Sequence, residues 1–239
     1  MSDEAELEYL VLSLLGQAQE PVGSGAVCDW LRKNGQSISE ATVGRFLREL
    51  DFRGYTQREG FRGRILSEAG QARWSELQRE KAMTRSSRDL MRALSAEDLD
   101  EVVDVLVARR ALEREIARLA AVNASDRDLA ALEELVGRYE ATTSAPAAAE
   151  ADFAFHVRLA EVTGNRVLQA TTRLIHTQAQ TAMIPPTIHR KLKLNLAHQH
   201  RAILEAIRSH DPEQAEGAMI AHIDDVIAAI RKHGQMPER

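Results

Sequence analysis

Apolar positions recur at three- and four-residue intervals along most of the chain, the spacing of amphipathic helices. Residues 5–15, AELEYLVLSLL, predict a first helix, and residues 24–34, SGAVCDWLRKN, a second that ends near Gly35. The run SISEATVGRFLRELDFRGY predicts a third, over about 40–51. Ser39 is its N-cap, and Val43, Phe46, Leu47 and Leu50 share one face. Cys28 and Trp30 read as core residues of the second helix. The period then changes. YTQREGFRGRILS predicts two short strands within 55–66, joined by a turn from Gly60 to Gly63. Three helices and a basic hairpin are the order of a winged helix-turn-helix. In such a domain the third helix enters the major groove of DNA and the hairpin lies along the backbone.

From about residue 95 the helical period runs to the end. Helices are predicted over 96–122, 125–142, 147–163, 165–184, 187–209 and 212–233. Asp126, Asn165 and Asp211 stand near three of the starts, and Gly164 separates two helices. No strand-like alternation interrupts them, so an antiparallel helical bundle is expected. The fold class is mainly α: a winged helix-turn-helix over 1–81, a polar, Arg-rich linker over 82–94, and an all-helical domain over 95–239.

Composition agrees with this. Aromatic residues are 4% of 239, which disfavours a sandwich or barrel. No apolar run approaches the roughly 20 residues of a membrane span. The start, MSDEAELEYL, is acidic and unlike a signal peptide, so a cytoplasmic protein with no membrane partner is expected. The single cysteine excludes an internal disulfide and a cysteine-based zinc site. The net charge of −5 is uneven. Residues 1–92 hold 14 Lys and Arg against 14 Asp and Glu, and the remainder holds 17 against 22. A local basic stripe therefore survives in the first third, as phosphate contact requires. The expected contacts to double-stranded operator DNA are Ser39, Thr42, Arg45 and Arg48 on the third helix, and Arg58, Arg62 and Arg64 on the hairpin.

Polar residues on apolar faces carry the remaining signal. Asp152 and His156 are four apart, on one helical face with Leu159. His200 heads a stripe with Ile203, Leu204 and Ile207; His222 shares one with Met219, Ile223 and Val226. Three imidazoles and one carboxylate from separate helices can converge inside a bundle. That set suits zinc or nickel first, then manganese or iron, with positions left for water or an organic acid. His176, His189, His198, His210 and His233 read as ordinary hydrogen-bonded or surface histidines. Metal affinity is expected to fall below about pH 6.5, the unperturbed histidine value. On the 96–122 helix, the apolar face of Leu99, Val102, Val103 and Leu106 continues onto Arg109, Arg110 and Glu113. A guanidinium there needs an anionic partner, either Glu113 or a bound acid.

Two resemblances sharpen these readings. TVGRFLRELDFRGY followed by GFRGRILSEAG is similar to the NrpR-type winged helix, over roughly residues 5–80. DFAFHVRLAEVTGNRVL, HRAILEAIRSHDPEQAEGAMIAHID and VARRALEREIARLAA resemble the FCD effector domain of GntR-family transcription regulators, over about 95–233. The latter resemblance implies metal ligands at Asp152, His156, His200 and His222, and a pocket for a small carboxylate effector. It also implies a homodimer and an acid-binding role for Arg109, the first Arg of RRALE. A GntR-type winged helix is usual with this domain, so the N-terminal third departs from the pattern. Two other functions compete. In a metal sensor the ion itself would be the signal, through the same four ligands. A metal-dependent enzyme is disfavoured: the chain has no metalloprotease spacing, nucleophile motif or Gly-rich phosphate loop.

Overall fold

The computed structural model describes residues 3–142, 144–181 and 186–234. Two compact units divide the chain, 1–88 and 89–239.

The first unit holds α1 (Asp3–Gln17), α2 (Ser24–Lys33), α3 (Glu40–Phe52), β1 (Thr56–Arg58) and β2 (Arg64–Leu66). The Ser39 hydroxyl accepts from the Thr42 backbone N–H and caps α3. Val43, Phe46, Leu47 and Leu50 are all buried, against Leu12 and Leu15 of α1 and Val27 and Leu31 of α2. Cys28 is buried beside them and Trp30 packs against this core. The strands pair antiparallel, with Gln57 opposite Ile65. Val22 joins the hairpin through an isolated bridge to Arg64, with backbone bonds of 2.9 and 3.0 Å. This is the winged helix-turn-helix expected from the sequence.

Helix α4 (Glu68–Leu94) follows, and the segment 82–94 is its C-terminal half. Between residues 71 and 94 there is neither glycine nor proline, so nothing breaks the backbone ladder there. Residues 82–90 are all exposed.

The second unit is formed by α5 (Leu99–Asn123), α6 (Asp126–Ala141), α7 (Ala145–Val162), α8 (Arg166–Thr181), α9 (Pro186–Arg208) and α10 (Pro212–Gly234). Caps set most of the starts. Asp98 caps α5, Ser125 and Asp128 form a reciprocal capping box on α6, and Ser144 caps α7. The Asn165 side chain accepts from the N–H groups of Val167 and Leu168, and Asp211 from that of Gln214. Gly164 leaves α7 with φ +68°, a left-handed conformation that glycine tolerates best. Helices α5, α7, α9 and α10 enclose one apolar core that includes Ile116, Phe155, Leu159, Ile203, Leu204 and Ile223. Among the described residues no helix is long and apolar enough to cross a membrane.

Candidate metal centre and nucleic-acid interface

Helical spacing turns three histidines and one half-buried aspartate toward the interior of the second unit, and the packing of their helices brings them together. Asp152 and His156 are one turn apart on α7, His200 lies on α9 and His222 on α10. The three histidines are buried. One donor atom from each of the four lies within 4.8 Å of the others. Donors around a common ion, with bonds of about 2.1 Å, sit roughly 3–4 Å apart, so a small inward movement would close a shell. His200 Nε2 is 3.2 Å and His156 Nε2 3.7 Å from Asp152 Oδ1. Both ring nitrogens of His156 and of His200 are buried without a well-aligned hydrogen bond. Two of them, His156 Nε2 and His200 Nε2, face Asp152 Oδ1, and once His156 gives up its proton both offer a lone pair toward the same point as that carboxylate. The residues fit a cation there.

The imidazoles are held from behind. His222 Nδ1–H donates to Gln199 Oε1 at 3.1 Å, which leaves Nε2 with its lone pair. Gln199 is itself fixed by a bond to Asp225. Glu113 of α5 is buried and serves three groups. Arg109 Nε–H and His176 Nε2–H both donate to its Oε1 at 2.8 Å, and His156 Nδ1 lies 2.6 Å from its Oε2. Glu113, His156 and His176 thus form a second close cluster that shares His156.

Charge is distributed unevenly among these rings. Burial would lower His156, but the Glu113 and Asp152 carboxylates on either side outweigh it and raise its pKa to about 9. Burial pushes His176 down to about 4, helped by the Arg109 charge. His200 and His222 are also lowered, chiefly by burial. Asp152 and Glu113 resist burial and stay well below the usual carboxylate range, through His156 for Asp152 and through Arg109 and His156 for Glu113. Without an ion, then, His156 is cationic and the other rings are neutral. The proton that competes with a metal sits on His156 up to about pH 9, not near the 6.5 expected from the sequence.

Arg109 faces the interior, as its place on the α5 face predicts. Burial works against its charge, while Glu113 and then Asp152 sustain it. Its partner is Glu113, through Nε; among the described residues its two terminal amines have no hydrogen bond. Arg110 turns outward to Asp224 of α10.

His176 departs from its sequence reading in one respect. It is hydrogen-bonded, as an ordinary core histidine would be, but its partner belongs to the centre, and its ring lies 4.9 Å from that of His156. Thr172, Ile175 and His176 are buried on α8 at helical spacing, and that face was the available signal. The sequence reads Glu113 only as an ion-pair partner of Arg109. His198 is exposed, His210 bonds the Ala121 carbonyl, and the side chains of His189 and His233 lie outside the described residues.

On the first unit, Arg45 and Arg48 point outward from α3. Thr42 is half-buried and its hydroxyl lies 3.0 Å from that of Ser39, so both hydroxyls sit at the N-terminus of α3. Arg58 and Arg62 of the hairpin are exposed, Arg62 alongside Glu59 at 2.6 Å. Arg64 is a correction. It is 6% exposed and grips Asp51 with Nε and Nη2, both at 2.8 Å. Its guanidinium ties the base of the hairpin to α3, and a phosphate could reach it only by breaking that pair.

A winged helix-turn-helix followed by a helical bundle is the domain order of one class of transcription regulators. Comparison with known proteins places the chain within it. Residues 104–225 match the FCD domain model, and residues 9–73 match the model described as Ribonuclease R winged-helix domain. The chain belongs to the GntR-family transcription regulators that carry an FCD domain, a family of regulators and not of enzymes. It is 31% identical over 153 residues to the Escherichia coli (strain K12) "Putative L-lactate dehydrogenase operon regulatory protein", covering 59% of this chain and 56% of that protein. A shorter match, 34% over 61 residues, joins it to the "Global nitrogen regulator NrpRI" of Methanosarcina mazei, covering 26% of this chain and 19% of that one. The solved structure titled "Lar controls the expression of the Listeria monocytogenes agr system and mediates virulence" shares the fold, with a TM-score of 0.53 at 13% identity over 98% of both chains. The chain spans about half the length of the operon regulators it matches.

Proposed function

We propose that this protein is a homodimeric, DNA-binding transcription regulator whose helical domain binds one divalent transition metal and a small anionic acid. The observation that carries this reading is the close cluster of half-buried Asp152 with buried His156, His200 and His222, beside an Arg109 whose terminal amines have no hydrogen bond among the described residues. A bound ion would supply fixed positive charge and open coordination positions for an anionic ligand. The chain's own residues do the rest. Asp152, His200 and His222 present donors that are already deprotonated at neutral pH. Glu113 and Gln199 hold two of the rings in place. Arg109 offers a planar fork that matches a carboxylate in charge and shape. The Escherichia coli relative named for an L-lactate dehydrogenase operon makes small 2-hydroxy acids the first compounds to test.

In the first unit, the exposed Arg45 and Arg48 of α3 support insertion into the groove, with Ser39 and Thr42 at its N-terminus. Arg58 and Arg62 of the hairpin support backbone contact. One such module covers a small footprint, so two copies reading half-sites spaced by multiples of about 10 base pairs are expected. The acid would act by binding two arrangements of the dimer unequally.

The test has two steps. Duplexes enriched from a random pool by the full chain are titrated with protein, with metal, and with metal plus L-lactate or a related acid. A response to metal that the acid does not alter would make the ion itself the signal. A response to neither would overturn the effector reading.

A further inference from the structure

The hairpin carries a residue that its role as a backbone clamp does not use. Its base is over-determined. Arg64 is buried in a bidentate pair with Asp51 and is bridged to the Val22 backbone. Gly63 has φ +137°, and a Cβ there would stand 2.3 Å from the Val22 carbonyl carbon, so only glycine allows this close approach. The tip is the reverse. Phe61 is fully exposed between Gly60 and Arg62, and among the described residues no ring contact or core cluster includes it. Burying a phenyl ring is strongly favourable, and a hairpin tip that merely turns would be served by small polar residues. A rigid stalk that holds a bare aromatic ring forward is built to put that ring into something.

The surroundings say what. Arg62 follows the ring in sequence and is 74% exposed, alongside Glu59, while Arg58 lies lower on the hairpin, 62% exposed and 3.7 Å from Asp51. Glycines on both sides keep the tip slim, and the minor groove of DNA is only about 6 Å wide. Cations beside an apolar wedge are the pattern of side chains that enter the minor groove, unstack adjacent base pairs and kink the duplex. The anchored base means that little conformational freedom is lost on insertion.

We propose that Phe61 is a minor-groove wedge, inserted beside the site read by α3 at a flexible pyrimidine–purine step, and that this protein bends its operator. The inference rests on the DNA-binding reading above and goes beyond it by assigning a deformation of the DNA and the residue that causes it.

The experiment uses the full chain and duplexes enriched from a random pool by the wild type. End-to-end distance is followed by energy transfer between terminal dyes, and base unstacking by 2-aminopurine placed at successive steps outside the α3 site. The wild type is expected to shorten the duplex and to raise 2-aminopurine fluorescence at one step per half-site. Phe61→Ala should abolish both signals and weaken binding about tenfold or more, on the scale of one lost base–aromatic contact. The slope of affinity against salt should not change, because no charge is removed. Phe61→Leu, still an apolar wedge, should retain most of the bend. Because the ring is fully exposed and joins no core cluster among the described residues, the variants should melt with the wild type. Enrichment of duplexes by the wild type with no unstacked step, or a Phe61→Ala protein that bends DNA equally well, would overturn this inference alone. A shift in oligomeric state in Phe61→Ala with intact bending would give the ring to a second copy of the chain and overturn it too. Failure of the wild type to enrich any duplex would overturn the DNA-binding reading and this inference with it.

Discussion

Metal binding should release one proton near neutral pH, and that proton should come from His156. The ring lies between the Glu113 and Asp152 carboxylates, which hold its pKa at about 9 against the cost of burial. An ion needs the lone pair that this proton occupies. One pKa unit corresponds to about 1.36 kcal/mol. At pH 7 deprotonation therefore opposes binding by about two units, about 3 kcal/mol, and affinity should be about a hundredfold below its value above pH 9. The dependence should be about tenfold per pH unit from 7 to 8.5, then flatten. The other donors do not add to the slope there, since His200 and His222 are lowered and Asp152 is already ionised. The assay is competition for zinc or nickel against a chelator of known proton affinity. Calorimetry in two buffers of different ionisation heat counts the protons. Glu113→Gln keeps the shape but removes one of the two flanking charges. It should move the transition to lower pH and reduce proton release at pH 8. A wild-type affinity that is flat between pH 7 and 9, with no proton released, would refute the reasoning.

Other outcomes follow from particular contacts. His200→Ala and His222→Ala should each lose the ion in metal analysis, and full occupancy in both would refute the ligand assignment. Arg109→Ala should abolish the thermal shift caused by a carboxylate effector while metal content persists, because the fork and not the ion's shell is removed. Arg45→Ala with Arg48→Ala should weaken DNA binding and reduce the log–log salt slope by about two, with an unchanged melting temperature. Arg64→Ala should instead destabilise the first unit by about 2 kcal/mol, seen in chemical denaturation, because it strips the partner from Asp51. In the metal-free protein the stabilising contribution of His156 is complete below its unfolded value of about 6.5 and is lost as pH rises through 9. His176 stays neutral in the fold down to about 4 but takes a proton on unfolding below about 6.5, so stability also falls as pH drops through that window. Melting temperature without metal should therefore peak between these limits.

Much of this was legible along the chain because helices are local. The face of Val43, Phe46, Leu47 and Leu50 follows from spacing alone, and all four are buried. The same period placed Asp152, His156, His200 and His222 on core-facing stripes, where a polar residue is conspicuous. It also allowed 82–94 to be read as a linker from its polarity, although the absence of glycine and proline lets that segment continue α4. Polarity reports contact with water and says little about backbone conformation.

Pairing between distant residues was not legible. Arg64 has the composition of a DNA contact and sits in a basic hairpin, yet Asp51, 13 residues away, takes its guanidinium. Glu113 looked like the ion-pair partner of Arg109, one turn back on the same helix. That it also holds His156 from α7 and His176 from α8 depends on which helices lie side by side. The pKa of His156 has the same origin. A sequence supplies the titrating ring, with its ordinary value near 6.5. Electrostatic energy depends on distance and on the water displaced, and only the packed bundle brings two carboxylates to one buried imidazole.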